Sequence, residues 1–112
     1  MQEIILKALK NIDIKSYFVT RPNYITECIV YNYISTPAYY SDNSLKGTNY
    51  VILLNLYCCS KVEKNKNLIL EVMRKEKFKG GSVKATERIE ESDGSVYFNT
   101  PITFKYFLRK DD

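Results

Sequence analysis

Three cysteines are the side chains best suited to nucleophilic chemistry in this sequence: Cys28, Cys58 and Cys59. A catalytic cysteine or serine works beside a base, usually a histidine, and the sequence contains no histidine. Cys58 and Cys59 are adjacent, so a strand would point them to opposite faces, and they lack the spacing of a zinc site. We therefore expect small buried side chains and no disulfide framework, with a reactive thiol or a ligand as the alternative.

Carboxylates acting as general acid and base are the second possibility. The candidates for such a pair are Asp42, Glu87, Glu90 and Glu91. Alternation along a strand would place Glu90 and Glu91 on opposite faces, which suits a solvated hairpin better than an acid and base pair. The sequence thus predicts no enzyme, no cofactor and no metal site. An enzyme that uses Cys58 or Cys59 is the most distant alternative.

The net charge of +4 is unevenly distributed along the chain. Residues 61–79 hold seven Lys or Arg and three Glu, and the segment that follows is acidic. The contact candidates on these two segments are Lys75, Lys77, Lys79, Glu87, Glu90 and Glu91. An ordinary solvated face is the first explanation of this pattern, and head-to-tail packing of like subunits through the basic helix and the acidic hairpin is the alternative.

A polar segment with two adjacent tyrosines, residues 36–47, separates two predicted strands. Its contact candidates are Tyr39, Tyr40, Ser41, Asp42 and Asn43. Tyrosine and small polar residues in a surface connection form adaptable protein contacts. We predict a contact loop here, with a plain solvent turn as the alternative.

Ten tyrosines, five phenylalanines and seventeen basic residues also raise the possibility of binding to single-stranded nucleic acid. Aromatic faces stack on bases, and Lys or Arg pairs with phosphate. The aromatic residues mostly follow strand spacing, which favours core or subunit packing, and no run alternates basic and aromatic residues as RNA-recognition strands do. A small basic nucleic-acid-binding module is therefore kept as the alternative function.

Hydrophobic spacing predicts two helices. Residues 2–12 repeat apolar side chains along one helical face. The second helix is predicted over residues 62–78, where Ser60 and Glu63 form a capping box and Gly80-Gly81 end the helix. Because that glycine pair follows a helix and does not precede one, it is not a phosphate-binding loop.

Runs of β-branched and aromatic residues predict four strands. They cover residues 27–35, 49–59, 82–92 and 95–109. The second is predicted to be covered on both faces, with its even positions the more apolar. The last two form a hairpin around Asp93-Gly94, a pair suited to a tight turn in which both central residues take positive φ. Pro101 cannot donate to a ladder, so its arm is predicted to be an edge strand or to contain a bulge. Residues 17–19 form only a short extended piece of a connector.

These elements predict a single α+β domain over residues 1–112. The order α-β-β-α-β-β gives a four-stranded, mainly antiparallel sheet with two helices packed on one face. No apolar run is long enough to span a bilayer, and the N-terminus lacks a signal-peptide pattern. We therefore expect a cytosolic chain without membrane contact.

The order of elements resembles the tail completion, or tail terminator, proteins of long-tailed bacteriophages and prophages. The resemblance covers nearly the whole chain: an N-terminal helix, IVYNYIS (29–35), the polar segment with YYSDN (39–43), NYVILLNLYCC (49–59), a second helix, and a hairpin ending in ITFKYFLRK (102–110). Size, order of elements and aromatic content carry the likeness.

The resemblance implies a structural virion protein that is assembled in the host bacterial cytoplasm as a homo-oligomeric ring, a hexamer. Such a ring ends growth of the tail tube and joins the tail to the head. The implied partners are copies of this chain, the tail tube protein and a head connector or neck protein. DNA would pass through the central channel without sequence-specific binding. The Pro101 arm would offer an edge for β-augmentation, residues 36–47 a contact loop, and the basic helix and acidic hairpin complementary charge.

Overall fold

A computed structural model of the chain describes residues 1–21 and 27–110. Within these residues there are two helices and six strands. The helices are α1 (Gln2–Leu9) and α2 (Val62–Lys75), and the strands are β1 (Ser16–Phe18), β2 (Cys28–Tyr39), β3 (Leu45–Cys58), β4 (Lys79–Val83), β5 (Glu87–Glu90) and β6 (Val96–Arg109). Both helices are shorter than predicted: α1 ends at Leu9, not at residue 12, and α2 ends at Lys75, not at residue 78. No helix in the described part is long and apolar enough to cross a membrane.

The strands form one mixed sheet in the order β1-β2-β3-β6-β4, with β5 also paired to β6. β1 runs parallel to β2, and the other pairs are antiparallel. The predicted four-stranded, mainly antiparallel sheet is therefore wrong. Tyr17 and Phe18 of the predicted extended piece lie in β1, which pairs with the more distant β2, whereas Val19 follows the strand. The predicted arm 82–92 is divided between β4 and β5.

Proline explains why that arm is divided. Pro101 accepts a hydrogen bond from the Lys84 backbone N–H at 2.9 Å, so its backbone faces the β4 and β5 side of β6. Because proline has no N–H to donate, the ladder is interrupted here: β4 pairs as far as Val83, and β5 begins at Glu87. β6 is thus an interior strand. The prediction of an edge strand or a bulge at Pro101 is wrong, and the irregularity of pairing lies in β4 instead.

Alternate residues of the three long strands form the core face of the sheet. The even positions of β3, predicted to be the apolar side, are buried from Ile52 to Cys58. Packed with them are Ile29 and Tyr31 of β2, Ile102 and Phe104 of β6, Ile5, Ala8 and Leu9 of α1, and Ile69 and Met73 of α2. Both helices therefore cover this one face. On the other face Leu53 is 37% exposed, so the prediction that β3 is covered on both faces is wrong.

The N-terminus of α2 differs from the predicted capping box. The N-cap is Lys61, which has a left-handed φ of 57°, and no side chain caps the helix. The Glu63 carboxylate instead binds the Lys66 ammonium at 2.6 Å. Ser60 therefore precedes the cap, and the predicted reciprocal bonds between Ser60 and Glu63 are wrong.

The C-terminus of α2 also precedes the predicted glycine cap. Lys77 takes the left-handed conformation, with a φ of 69°. The N–H groups of Lys77 and Phe78 return to carbonyls of the last helical turn, both at 3.0 Å, which is the pattern of a Schellman cap. Gly80-Gly81 lie in β4, so the prediction that they end the helix is wrong.

The long strands extend beyond the helices at one end of a molecule that measures 57 × 25 × 23 Å. At this end the core stops at three partly buried tyrosines, Tyr33, Tyr50 and Tyr106. No described strand residue farther toward the end belongs to the core or packs against it. We call this projecting part the distal end: residues 34–49 and 105–110, with Lys77 and Lys79 beside it. We call the opposite end of β6, with β5, the acidic hairpin: residues 87–96.

Candidate functional site

The connection between β2 and β3 is a tight turn from Tyr40 to Ser44. The Tyr40 N–H bonds to Ser44 O at 2.8 Å, the Asn43 N–H bonds to Tyr40 O at 3.0 Å, and Asn43 has a left-handed φ of 67°. Asp42 Oδ1 accepts from the Ser44 N–H at 3.0 Å and from Ser44 Oγ at 2.5 Å. These bonds lower the pKa of the Asp42 carboxyl from its ordinary value. Three predicted contact residues, Ser41, Asp42 and Asn43, thus form the turn itself.

Two tyrosines project beside this turn. Tyr39 is 59% exposed and Tyr40 is 50% exposed. The predicted loop over residues 36–47 is wrong in extent, because β2 continues to Tyr39 and β3 begins at Leu45. Tyr39 is paired with Leu45, and the Tyr40 N–H bonds to Ser44 O, so both tyrosines have a defined position. We call β2, β3 and their turn the tyrosine hairpin.

Phe107 of β6 adds a third exposed aromatic ring to the distal end. Its ring lies against Gly47, where an added Cβ would stand 2.7 Å from the nearest ring atom. The Lys46 ammonium lies 5.6 Å from the centre of the Phe107 ring and 6.0 Å from that of Tyr40. Cation–π contacts of this kind orient the lysine between the two rings.

A cleft of about 680 Å³ lies on the distal end. Its charged lining residues are Lys77, Lys79, Lys105 and Arg109, and its aromatic ones are Tyr50, Tyr106 and Phe107. Lys79 and Lys105 are direct cross-strand partners, and like charges in that position repel. None of the lining residues that the structure describes is acidic. We call this feature the cationic cleft, and its chemistry suits an anionic group.

The structure brings together two of the three predicted lysines. Lys77 reaches the cleft because it forms the Schellman cap of α2, and Lys79 because it begins β4. Lys75 does not join them: it lies on α2 with its ammonium 3.5 Å from the Glu71 carboxylate. Sequence reasoning missed Lys105 and Arg109. Both are odd-numbered residues of β6 and therefore lie on the same face of that strand, which could have identified them. The pairing of Lys79 with Lys105 could not be identified in this way, because it depends on how β4 aligns with β6.

The acidic hairpin ends in a turn from Glu91 to Ser95 with the same geometry as the tyrosine hairpin. The Glu91 N–H bonds to Ser95 O at 2.9 Å, the Gly94 N–H bonds to Glu91 O at 3.0 Å, and Gly94 has a φ of 90°. Asp93 Oδ1 accepts from the Ser95 N–H and Oγ, at 2.9 and 2.6 Å, which lowers the pKa of the Asp93 carboxyl. The predicted hairpin is confirmed, although only Gly94 takes a positive φ.

Glu91 is held by neighbours at the base of this turn. It accepts a hydrogen bond from the Tyr97 hydroxyl, and its carboxylate lies 3.4 Å from the Arg21 guanidinium. That guanidinium also lies over the rings of Tyr97 and Tyr57, at 4.6 and 5.1 Å from their centres. The hydrogen bond to Glu91, and then burial, raise the pKa of Tyr97. Glu91 therefore has an internal structural role that sequence reasoning did not anticipate.

The other two predicted glutamates face solvent. Glu87 and Glu90 are exposed on β5, and the Glu90 carboxylate lies 3.3 Å from the Arg88 guanidinium. An exposed pair of this kind contributes little to stability. Glu87 and Glu90 are therefore available for contact with another molecule.

The cationic cleft and the acidic hairpin lie far apart on the same strand. Glu90 pairs with Val96, and Lys79 pairs with Lys105. The nine residue steps from Val96 to Lys105 span roughly 30 Å at about 3.4 Å per residue. The two predicted charged surfaces therefore do not meet within one chain.

No protein-family model and no curated protein matches this sequence. The resemblance to phage tail terminator proteins therefore stays a prediction.

The cysteines differ in exposure. Cys28 and Cys58 are buried, and burial raises the pKa of both thiols. Cys59 follows the end of β3 and is exposed, so the expectation of a buried side chain is wrong for this residue. Across residues 1–21 and 27–110, no three His, Cys, Asp or Glu side chains are grouped so that they could hold a metal ion.

Proposed function

We propose that this chain is a structural subunit that assembles with copies of itself into a closed ring. The observation that carries the proposal is the distal end, where long paired strands hold exposed apolar and aromatic side chains outside the core. These are Tyr39, Tyr40, Leu45 and Phe107, each between 37% and 59% exposed. Exposed apolar side chains clustered in this way indicate a contact surface, and tyrosine is enriched in such surfaces.

The rigidity of the distal end supports the same proposal. Its turn is closed by the Asp42 side chain, and its strands pair in register up to a bulge between Ala38 and Tyr39. A preformed surface loses little conformational entropy when it binds. A subunit that must meet each identical neighbour in the same geometry benefits from such a surface.

The outer edge of β2 favours contacts through side chains over strand addition. The Ile29 N–H bonds to Lys15 O at 2.8 Å, so odd-numbered residues of β2 direct their backbone groups outward. Farther along, the Tyr33 N–H already bonds to Asn32 Oδ1 at 2.8 Å, and Pro37 has no N–H. Fewer backbone N–H groups are therefore available on this edge to pair with an added strand.

The role that we propose for the ring is that of a phage or prophage tail terminator, on the strength of the sequence resemblance. The ring would be a hexamer on the last ring of the tail tube, with a head connector or neck protein on its other side and DNA passing through its centre. It would be assembled in the host bacterial cytoplasm and remain in the virion. Nothing in this role requires a reaction centre.

Sedimentation velocity tests the proposal through the tyrosines. The wild-type chain is expected to form a species larger than a monomer, and the double variant Tyr39→Ser/Tyr40→Ser to lose it. Because both tyrosines are exposed, the melting temperature should change little. Leu68→Ser is the matched control, since Leu68 is 37% exposed on α2, away from the distal end. Wild-type assembly by the double variant would contradict the proposed contact surface.

A binding assay tests the tail role separately. Wild-type protein mixed with the tail tube protein of the same phage or prophage should appear at tube ends in electron micrographs. Decoration along the sides of the tubes, or no binding, would contradict a terminator.

A nucleic-acid-binding module is the second candidate, because the cationic cleft combines four cations with the exposed ring of Phe107. Single-stranded nucleic acid is bound by this combination of charge and stacking. Fluorescence anisotropy with a labelled oligonucleotide should then show an affinity that falls steeply, by a factor of ten or more, as salt rises from about 50 to about 200 mM. Weak binding without salt dependence would remove this candidate.

A further inference from the structure

We infer that the acidic hairpin of one copy of this chain docks in the cationic cleft of the next copy. The inference rests on the proposed self-assembly and identifies its two surfaces. It is carried by the unmatched cations of the cleft, by the exposed carboxylates of the hairpin, and by the distance that separates them within one chain.

The cations of the cleft have no acidic partner among the described residues. No carboxylate of residues 1–21 or 27–110 lies within ion-pair distance of Lys77, Lys79, Lys105 or Arg109. The direct pairing of Lys79 with Lys105 places two ammonium groups on the same side of neighbouring strands. An incoming carboxylate between them would relieve that repulsion.

The acidic hairpin has the complementary chemistry. Glu87 makes no ion pair with any described residue, and Glu90 is matched only by the exposed Arg88. Glu91 is engaged by Arg21 and Tyr97, which anchors the turn and leaves the β5 carboxylates to face outward. The hairpin keeps a negative net charge even when its neighbours Arg21 and Arg88 are counted. Its carboxylates are those of Glu87, Glu90, Glu91 and Asp93.

The fold prevents the two surfaces from meeting within one molecule. They lie roughly 30 Å apart along β6, which is continuously paired with β3 from Phe98 to Arg109. The two surfaces therefore do not neutralise each other within one chain, and a second copy offers each of them the opposite charge. Docking one surface into a different surface of the next copy is a head-to-tail contact, which closes into a ring when the rotation between copies permits.

The tyrosine hairpin does not fit the cleft in the same way. Its turn has the same geometry as that of the acidic hairpin, but it carries Lys46 beside the tip. The positive charge of Lys46 offsets the negative charge of Asp42, so this tip lacks the excess of carboxylates that would attract the lysines of the cleft. Charge therefore selects the acidic hairpin as the occupant.

Reciprocal charge reversal tests the inference. One variant, Lys79→Glu/Lys105→Glu, makes the cleft acidic; the other, Glu87→Lys/Glu90→Lys, makes the hairpin basic. Each variant alone should sediment as a monomer at concentrations where the wild type assembles. Their equimolar mixture should recover assembly, because the acidic hairpin of the first fits the unchanged cleft of the second, and the basic hairpin of the second fits the reversed cleft of the first. Circular dichroism checks that both variants are folded.

The outcomes separate the inference from the proposed function. Assembly of each variant alone would overturn this interface and leave self-assembly intact. A monomeric wild type would overturn both. If a single-stranded oligonucleotide binds the wild type, fails to bind Lys79→Glu/Lys105→Glu, and that variant still assembles, then nucleic acid occupies the cleft and the inference is overturned.

Cross-linking supplies a second measurement on the unmodified chain. A carbodiimide joins a carboxylate to a nearby lysine as an amide, and a mixture of ¹⁴N- and ¹⁵N-labelled protein identifies the links that join two copies. Links between Glu87 or Glu90 and Lys79 or Lys105 should carry both labels. Glu63 to Lys66 and Glu71 to Lys75 are internal controls, at 2.6 and 3.5 Å. Detection of those control links without mixed-label links to the cleft lysines would overturn the inference.

Discussion

The two hairpins of this protein end in the same turn and carry opposite chemistry. In each, a Ser-Asp pair is followed by a left-handed residue and a serine, and the aspartate accepts from the serine N–H and hydroxyl. The tyrosine hairpin adds Tyr40 and Lys46 to this frame, and the acidic hairpin adds Glu90 and Glu91. The turn therefore determines the shape of the tip, while its neighbours determine what the tip can bind.

The largest expected effect is a difference in stability between alanine substitutions at one glycine of each hairpin. Gly47 needs space: a Cβ there would stand 2.4 Å from the Leu108 backbone oxygen, so Gly47→Ala should destabilise the fold by about 3 kcal/mol. Gly94 needs only its positive φ, since nothing lies within 4 Å of an added Cβ, and Gly94→Ala should cost about 1 kcal/mol. Urea unfolding of both variants measures the difference. Equal losses would show that the two glycines are required for the same reason.

A smaller effect concerns the tyrosine that anchors the acidic hairpin. Tyr97→Phe removes the hydrogen bond to Glu91 and should lower the free energy of unfolding by about 1 kcal/mol near neutral pH. The folded-state pKa of Tyr97 is raised, so this stabilisation is fully present below its ordinary value of 10.0 and is lost as pH rises through the folded pKa.

Unfolding of both proteins across the alkaline range checks the sign of that effect. The wild type should lose stability relative to Tyr97→Phe above about pH 10. A difference that stays constant with pH would mean that the hydroxyl contributes nothing through Glu91.

The smallest effect is an exchange between the left-handed positions of the two turns. Asn43→Gly should stabilise the protein by about 0.5 kcal/mol, because glycine adopts φ near 67° without steric cost. Gly94→Asn should destabilise it by a similar amount. Thermal unfolding of both variants compares the two tips directly. A loss of stability in Asn43→Gly would show that the asparagine side chain has a role in the tyrosine hairpin beyond its backbone conformation.

Local patterns predicted individual elements of the fold, but not the sheet that joins them. The even parity of β3, the position of α2 and the hairpin at Asp93-Gly94 follow from spacing and turn chemistry, and the structure confirms them. The turn at residues 40–44 was predictable from the same Ser-Asp pattern, with asparagine in place of glycine. The sequence favours a loop there as well, because tyrosines and polar residues are equally typical of irregular connections.

Features that depend on distant pairing were not predictable in the same way. β1 is a strand only because β2 lies beside it, and Pro101 divides β4 from β5 only because β6 is an interior strand. Lys77 takes the left-handed cap position ahead of the nearby glycines, and the next residue, Phe78, packs into the core. The cationic cleft is assembled by these same non-local pairings, so the sequence indicated Lys77 and Lys79 but not Lys105, the cross-strand partner of Lys79.

Native mass spectrometry of the wild-type chain alone tests the central claim most directly. A subunit that assembles with itself into a closed ring should give one dominant oligomer with a fixed number of copies, and the resemblance to tail terminators predicts six. That oligomer should dissociate as ionic strength rises, because a charged interface is screened by salt. A spectrum with only monomer at every concentration and salt would contradict self-assembly, and a ladder of increasing sizes would contradict a closed ring.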